Sequence, residues 1–488
     1  MTRAKANRDL SRIDNAGPVR YACCHERPLT HERYQPQEID MEAWIFVHDP
    51  LERYLDDYKR TFDAWEAGGV RGIVVGYLRF IGENGENLPT FHSDPAVYKS
   101  FGIAPPAEGP RDPEKEKKFQ AMLDDAASRG WHIMTFYAAG GGGSLPVEDD
   151  PHGVISYAAR IQDTMNALPQ AHGIVQDGPG EQHYELAFHH GGELLEIRPG
   201  SEERFSALGF SLERLQRGID HLRTSLHGLT PAAVRYQAAA GTLAGMQLFD
   251  INEDVIYWLR ARRELALGYI EGLAEQMPGL NRKVELGGIP RTAAFSSLTC
   301  QDYVEMGRLF DYVFPKHYYW HRGFDGLYGT VARWVQRLLD WNPTLSEADG
   351  LAVVRALFGI ELPGVHSLLD MEMGFPDEFF SQVVYGETQR ALDAIGPDKT
   401  ICWVSTGRAP HAGDAMTARD LYKILDASRQ AGLKRFLFHP DPEPGAAEWH
   451  ILTNMCGTPW KEDMDGSYWP ADTPRSTFSG HREPERYR

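Results

Sequence analysis

Residues 176–185 read Gln-Asp-Gly-Pro-Gly-Glu-Gln-His-Tyr-Glu. Asp177 and Glu181 flank a Gly-Pro-Gly turn that bends the chain sharply and presents both carboxyls beyond the element before it. Paired carboxyls suit glycoside hydrolysis. One is ionised and attacks or stabilises an oxocarbenium-like centre; the other is protonated and donates to the leaving oxygen. The plainer alternative is two loop acids capping a turn. Asp325, in His321-Arg322-Gly323-Phe324-Asp325-Gly326, is a further candidate for the second carboxyl, or a helix N-cap. Glu372, Asp441 and Glu443 are additional acids.

Aromatic and polar residues recur after the apolar runs: Tyr137; His317-Tyr318-Tyr319-Trp320-His321; Trp403 with Arg408 and His411; and His439 with Trp449. Sugars have apolar C–H faces and hydroxyl rims, and rings flanked by His, Arg and acids match both. Tyr137, His317, Trp320, Trp403, Arg408 and His439 are therefore the expected saccharide-binding set, with core packing as the competing use of any single ring.

These residues need a scaffold that gathers strand ends. Short β-rich runs alternate with helical patterns, as in a parallel sheet wrapped by helices. Strands are expected at 43–47, 72–80, 131–137, 173–176, 284–295, 312–318, 401–405 and 434–438. Asp49-Pro50 starts a helix that Gly68-Gly69 ends, and a helix over about 113–129 is closed by Gly130. Thr417 and Asp420 form a capping box. Residues from about 200 to 280 read as a helical insertion, with Leu212, Leu215, Ile219, Leu222 and Leu226 on one stripe and Asn252 capping a later helix.

Eight strands in β-then-helix order predict an α/β fold, a (β/α)8 TIM barrel with long loop insertions and a helical insertion after strand four. The expected organisation is an N-terminal extension over 1–40, the barrel over 41–460 and a polar tail over 461–488. In such a barrel the strand C-termini carry the chemistry, so Glu285, near a strand start, is set aside. A doubly wound open sheet is the alternative, but no G-x-G-x-x-G follows the first strand.

The 488 residues carry 50 Lys and Arg against 69 Asp and Glu, a net charge of −19, which disfavours nucleic acid and anionic membranes as partners. No apolar run approaches the roughly 20 residues that span a bilayer. Five scattered cysteines without a CxxC suit reduced thiols, and with no apolar stretch behind the basic N-terminus the expected location is cytoplasmic. The glycine run 140–143 lacks the Lys-Ser/Thr of a P-loop, H-E-x-x-H and G-x-S-x-G are missing, and neither cofactor nor metal is expected. Oligomeric state is not legible.

The stretch Thr90-Phe91-His92-Ser93-Asp94-Pro95, the segment Gly173-Ile174-Val175-Gln176-Asp177-Gly178-Pro179 and the strand order resemble the broad group of TIM-barrel glycoside hydrolase-like proteins. In some barrel glycosidases, α-fucosidase-like ones included, an aspartate ending strand four and followed by glycine is the nucleophile. The resemblance thus implies that role for Asp177, with Glu181 or Asp325 as general acid and a saccharide as substrate. Strand seven departs from the pattern, since Ile401 to Ser405 ends without the glutamate many retaining barrel glycosidases carry there. Two alternatives stay open. One is a metal-dependent sugar isomerase or epimerase with Glu181, His317 and other strand-end acids as ligands; the other is a carbohydrate-binding barrel without catalysis.

Overall fold

Runs of Val, Ile, Phe and Trp bounded by turn residues become the strands. The structure, a computed structural model, describes residues 41–48, 50–107, 109–137, 147–186, 194–319, 326–405, 417–439, 446–458 and 460. The strands are β1 (Glu42–Val47), β2 (Val70–Val75), β3 (Arg79–Ile81), β4 (Asn87–Pro89), β5 (His132–Tyr137), β6 (Gly173–Asp177), β7 (Glu285–Ile289), β8 (Tyr312–Val313), β9 (Lys316–His317), β10 (Cys402–Ser405) and β11 (Arg435–His439).

Nine of them form one sheet in the order β8-β7-β6-β5-β2-β1-β11-β10-β9, every pairing parallel. β3 and β4 make a separate antiparallel hairpin. β8 and β9 lie on either side of Phe314-Pro315, and this short stretch bonds in both directions. The Phe314 and Lys316 N–H groups donate to the carbonyls of Gly288 and Pro290, while the carbonyls of Val313 and Pro315 accept from Ile401 and Trp403. The two ends of the strand order are thus neighbours in space, and the sheet is curled, with helices outside it, in an α/β barrel-like arrangement.

Three expected strands are shorter or broken. The run 72–80 stops at Val75, because Tyr77 and Leu78 take left-handed backbone conformations (φ 57° and 46°) that redirect the chain into the hairpin. The run 284–295 ends at Ile289, where Pro290 follows, and Ala293–Phe295 is a 3-10 turn. Pro315 interrupts 312–318 in the same way.

The helical expectations between strands have matching elements. Asp112 accepts from the Lys115 N–H at the start of helix Pro113–Ser128, and the Thr417–Asp420 capping box opens helix Ala418–Gln430. Between β6 and β7, helices Leu212–His227 and Glu253–Gln276 pack together, and Asn252 caps the second. Leu215, Ile219, Leu222 and Leu226 are buried on the predicted stripe.

Alternation along each strand separates two layers. Trp44 of β1 meets Tyr312 of β8 and Phe314 just after it, on the far side of the sheet, so this face closes on itself. Near the strand N-termini Trp44 stacks on His132 (centroids 4.9 Å), His132 stacks on His172 (4.2 Å), and His132 Nε2 lies 2.6 Å from Glu285 Oε2. Glu285 therefore belongs to the amino end, away from the strand C-termini. Nearer the strand C-termini Phe46, Phe136, Trp403 and His439 fill the inside. None of the described helices is long and apolar enough to cross a membrane.

Candidate active site

Asp177 is the last residue of β6, and its side chain is 28% exposed. Gly178 and Gly180 follow with φ of 59° and 66°, and a Cβ on Gly180 would stand 2.8 Å from the Ala266 carbonyl. Only glycine makes this turn without strain. It closes through the Glu181 N–H donating to the Gly178 carbonyl and the Gly178 N–H donating to Ile289, which fixes the loop to the end of β7.

Both carboxylates face buried cations. Lys316 Nζ lies 2.9 Å from Asp177 Oδ1, and Arg291 Nε donates to Glu181 Oε1 at 2.9 Å. Lys316 and Arg291 are only 3% and 4% exposed, and such cations persist in an interior only when paired. Burial lowers the Lys316 pKa and nearby Arg291 lowers it further, while Asp177 and Glu181 act to raise it. For Arg291, burial opposes the charge, but Glu181, Tyr184 and Asp177 outweigh it and hold the guanidinium protonated. The result is a carboxylate–cation network across the ends of β6, β7 and β9.

Rings stand beside it. Lys316 Nζ is 5.9 Å from the Trp403 ring, which adjoins Phe46 at 5.2 Å, His439 at 5.5 Å and Tyr318 at 5.5 Å. His439 stacks on Phe46 and touches His48, and His48 meets Tyr77 at 5.5 Å. Strained backbone at Tyr77 and Leu78 sits beside these groups, and such strain concentrates at functional sites.

Of the residues singled out from sequence, Asp177, Glu181, Trp403 and His439 come together here. Tyr137 and His317 point the other way. Phe136 and Lys316 face inward, so the next residue on each strand faces the helices. Tyr137 packs on Tyr157 and bonds Thr164 in helix Gly153–Ala167. His317 is 1% exposed, its ring lies against Tyr319, and burial pushes its pKa down to about 3, so it is a neutral core histidine. Asp49, the glycine run 140–143, Trp320, His321, Asp325, Arg408, His411, Asp441, Glu443 and the segments 1–40 and 461–488 lie outside the described residues. Among the described residues no three His, Cys, Asp or Glu side chains are grouped to hold a metal ion.

Sequence reasoning missed Lys316, Arg291, Tyr77 and His48. A signal for the cations was present: a lone lysine in the apolar run Tyr312-Val313-Phe314-Pro315-Lys316, and an arginine just past Gly287-Gly288-Ile289-Pro290. A charge inside an apolar strand needs a partner, and Asp177 and Glu181 supply it.

A second buried cluster lies close by. Arg198 Nη1 donates to Glu148 Oε1 at 3.0 Å, and its Nε lies 2.8 Å from Asp149 Oδ2. Two acids share one cation. Burial raises Glu148 to about 7 and Asp149 to about 6 against the pull of Arg198. A carboxyl whose folded pKa exceeds its unfolded value contributes stability at low pH that is lost as pH rises through the folded value. Glu148→Gln mimics the neutral acid, so relative to wild type it is expected to be near neutral at pH 5. At pH 8 it should be more stable, by up to roughly 3 kcal/mol. Urea melts at the two pH values check this; an advantage at pH 5 that vanishes at pH 8 would contradict it.

No family model and no curated protein matches the chain. Among solved structures it is similar to the PgaB (BpsB) glycoside hydrolase domain from Bordetella bronchiseptica, with 11% identity, TM-score 0.42, and coverage of 86% of this chain and 99% of that one. It is also similar to a GH18 chitinase from Pseudoalteromonas aurantia (9% identity, TM-score 0.34, 82% of this chain and 93% of that). A third is GH5_18 from Streptomyces cattleya in complex with GlcNAc (11%, 0.37, 82% and 71%). Likenesses this distant carry no argument about the chemistry of this chain.

Proposed function

We propose that the chain is a glycoside hydrolase on a complete (β/α)8 barrel. Its strands are β1, β2, β5, β6, β7, the β8–β9 stretch counted as one, β10 and β11, and its substrate is a saccharide. Asp177 acts as the nucleophile or charge stabiliser at the sugar carbon. The observation that carries this reading is the Asp177–Lys316 pair at the carboxyl end of the curled sheet, beside the Trp403, Phe136 and His439 rings. A carboxylate held 2.9 Å from a buried lysine amine is oriented before substrate arrives, as a group that meets developing positive charge must be.

The general acid is Glu181 or Asp325. The Arg291 guanidinium stabilises a charged carboxylate at Glu181, which suits electrostatic work better than proton donation. Trp403 and His439 form the sugar platform. Trp320 and Arg408 complete it in this reading.

The test is a panel of chromogenic aryl glycosides of both anomers, assayed with and without EDTA. At least one glycoside is expected to be cleaved at a rate the chelator leaves unchanged. Turnover that disappears with EDTA and returns with a divalent cation would favour the metal-dependent isomerase class instead. No turnover anywhere, with saccharide binding retained, would favour a non-catalytic barrel.

A further inference from the structure

A separate cavity of about 460 Å³ opens beside the carboxyl ends of β2 and β5, lined by residues from Tyr77 to Arg160. Its wall is built from the motif that the chemistry above leaves unused. Thr90 Oγ1 donates to the Leu78 carbonyl, Asp94 caps helix Pro95–Ser100, and the Asp94 N–H and the Tyr98 hydroxyl both donate to Asp163. These bonds hold Phe91 and Tyr98 in the cavity wall opposite Tyr77 and Tyr137.

The lining sets the ligand chemistry. Most of it is aromatic or aliphatic, with Leu78, Ile103 and two prolines beside the four rings. Ser93, Ser156 and Arg160 are the polar side chains beside them, and the Tyr98 and Tyr137 hydroxyls are already bonded to Asp163 and Thr164, so a sugar ring would find few partners for its hydroxyls on these walls. A flat aryl group needs none. The one charged side chain among the described lining residues is Arg160, whose guanidinium lies 3.8 Å from the Tyr137 ring centroid. Arg160 is exposed, and no carboxylate among the described residues pairs with it, so a ligand at the cavity mouth meets an uncompensated cation. Stacking fixes the plane of the fork, which favours a carboxylate ligand over a point charge.

The cavity also borders the site. Tyr77 is 5.2 Å from Phe136 and 5.5 Å from His48, so one ring separates the two spaces. We propose that this cavity is a subsite for an aromatic aglycone bearing a carboxylate, so that the substrates are aryl glycosides of the hydroxybenzoate kind. The aglycone role rests on the glycosidase reading, but binding of the aryl carboxylate does not need turnover.

The experiment is calorimetric titration of the full chain with 4-hydroxybenzoate and with its neutral analogue 4-hydroxybenzamide. Wild type and Asp177→Asn are both expected to bind the carboxylate, about tenfold more tightly than the amide, the worth of one charge-assisted contact. Arg160→Gln should remove that preference, and Arg160→Lys should keep part of it. Equal affinity for the two probes, no saturable binding, or a preference that survives Arg160→Gln would overturn the proposal. Should Arg160→Gln lower the melting temperature, the comparison of the two probes on wild type decides alone. Failure of the glycosidase reading looks different: the carboxylate binds with its Arg160 dependence while no glycoside is cleaved.

Discussion

Asp177→Asn is expected to lower kcat on any glycoside the wild type cleaves by about three to five orders of magnitude, as removal of a reacting group does elsewhere. The amide has nearly the shape of the carboxyl, so the turn through Gly178 and Gly180 is retained and the fold with it. What is lost is the negative charge that the proposed role sets opposite the sugar carbon. The loss also strands Lys316, whose ammonium keeps its burial but not its 2.9 Å partner. Its pKa, already lowered by burial and Arg291, should fall further. For a lysine with a folded pKa below the unfolded one, charge costs stability at low pH, and the cost fades as pH rises through the folded value. The variant should therefore trail wild type in stability by more at pH 6 than at pH 9. Activity at the full wild-type rate would remove Asp177 from the chemistry.

Gly69→Ala is expected to be severely damaging to the fold. Gly69 has a φ of 98°, and a Cβ there would lie 2.0 Å from the carbonyl oxygen of Cys456 at the end of helix Ala446–Cys456. That oxygen belongs to backbone and cannot swing aside. Left-handed strain costs about 1–2 kcal/mol, and forced separation of two main chains adds to it, so a loss of more than about 3 kcal/mol is expected. Gly130→Ala is the control. Gly130 has a φ of 74° with nothing within 4 Å of its Cβ position, so only the strain term applies. Urea titration of both variants separates the terms; equal losses would show that the contact with Cys456 contributes nothing.

Much of the sheet was legible because its strands are short apolar runs with turn chemistry at their ends. β1, β5, β6, β10 and β11 fall within a residue of their expected limits, and Asn252 and Thr417 cap the helices they were expected to cap. Where the reading failed, a backbone feature outweighed composition. Val284 to Phe295 is apolar throughout much of its length, yet Pro290 ends the ladder; Tyr77 and Leu78 are strand formers by type, yet their backbone turns. The site was half legible. An acid beside glycines announces itself, whereas Lys316 and Arg291 matter because of partners far away in the chain. His317 was misplaced for a different reason, since a strand end was treated as having one side when successive residues take opposite ones.

Trp44, His132, His172 and Glu285 form a contiguous layer across the amino end of the sheet, and it bears on kinetics. In the proposed glycosidase, a molecule that reaches Asp177 from the carboxyl end finds this layer behind it among the described residues and backs out along its entry route. A released fragment stacked on Trp403, as that proposal has it, would stand in the path of the next arrival, and competitive product inhibition is the expected result.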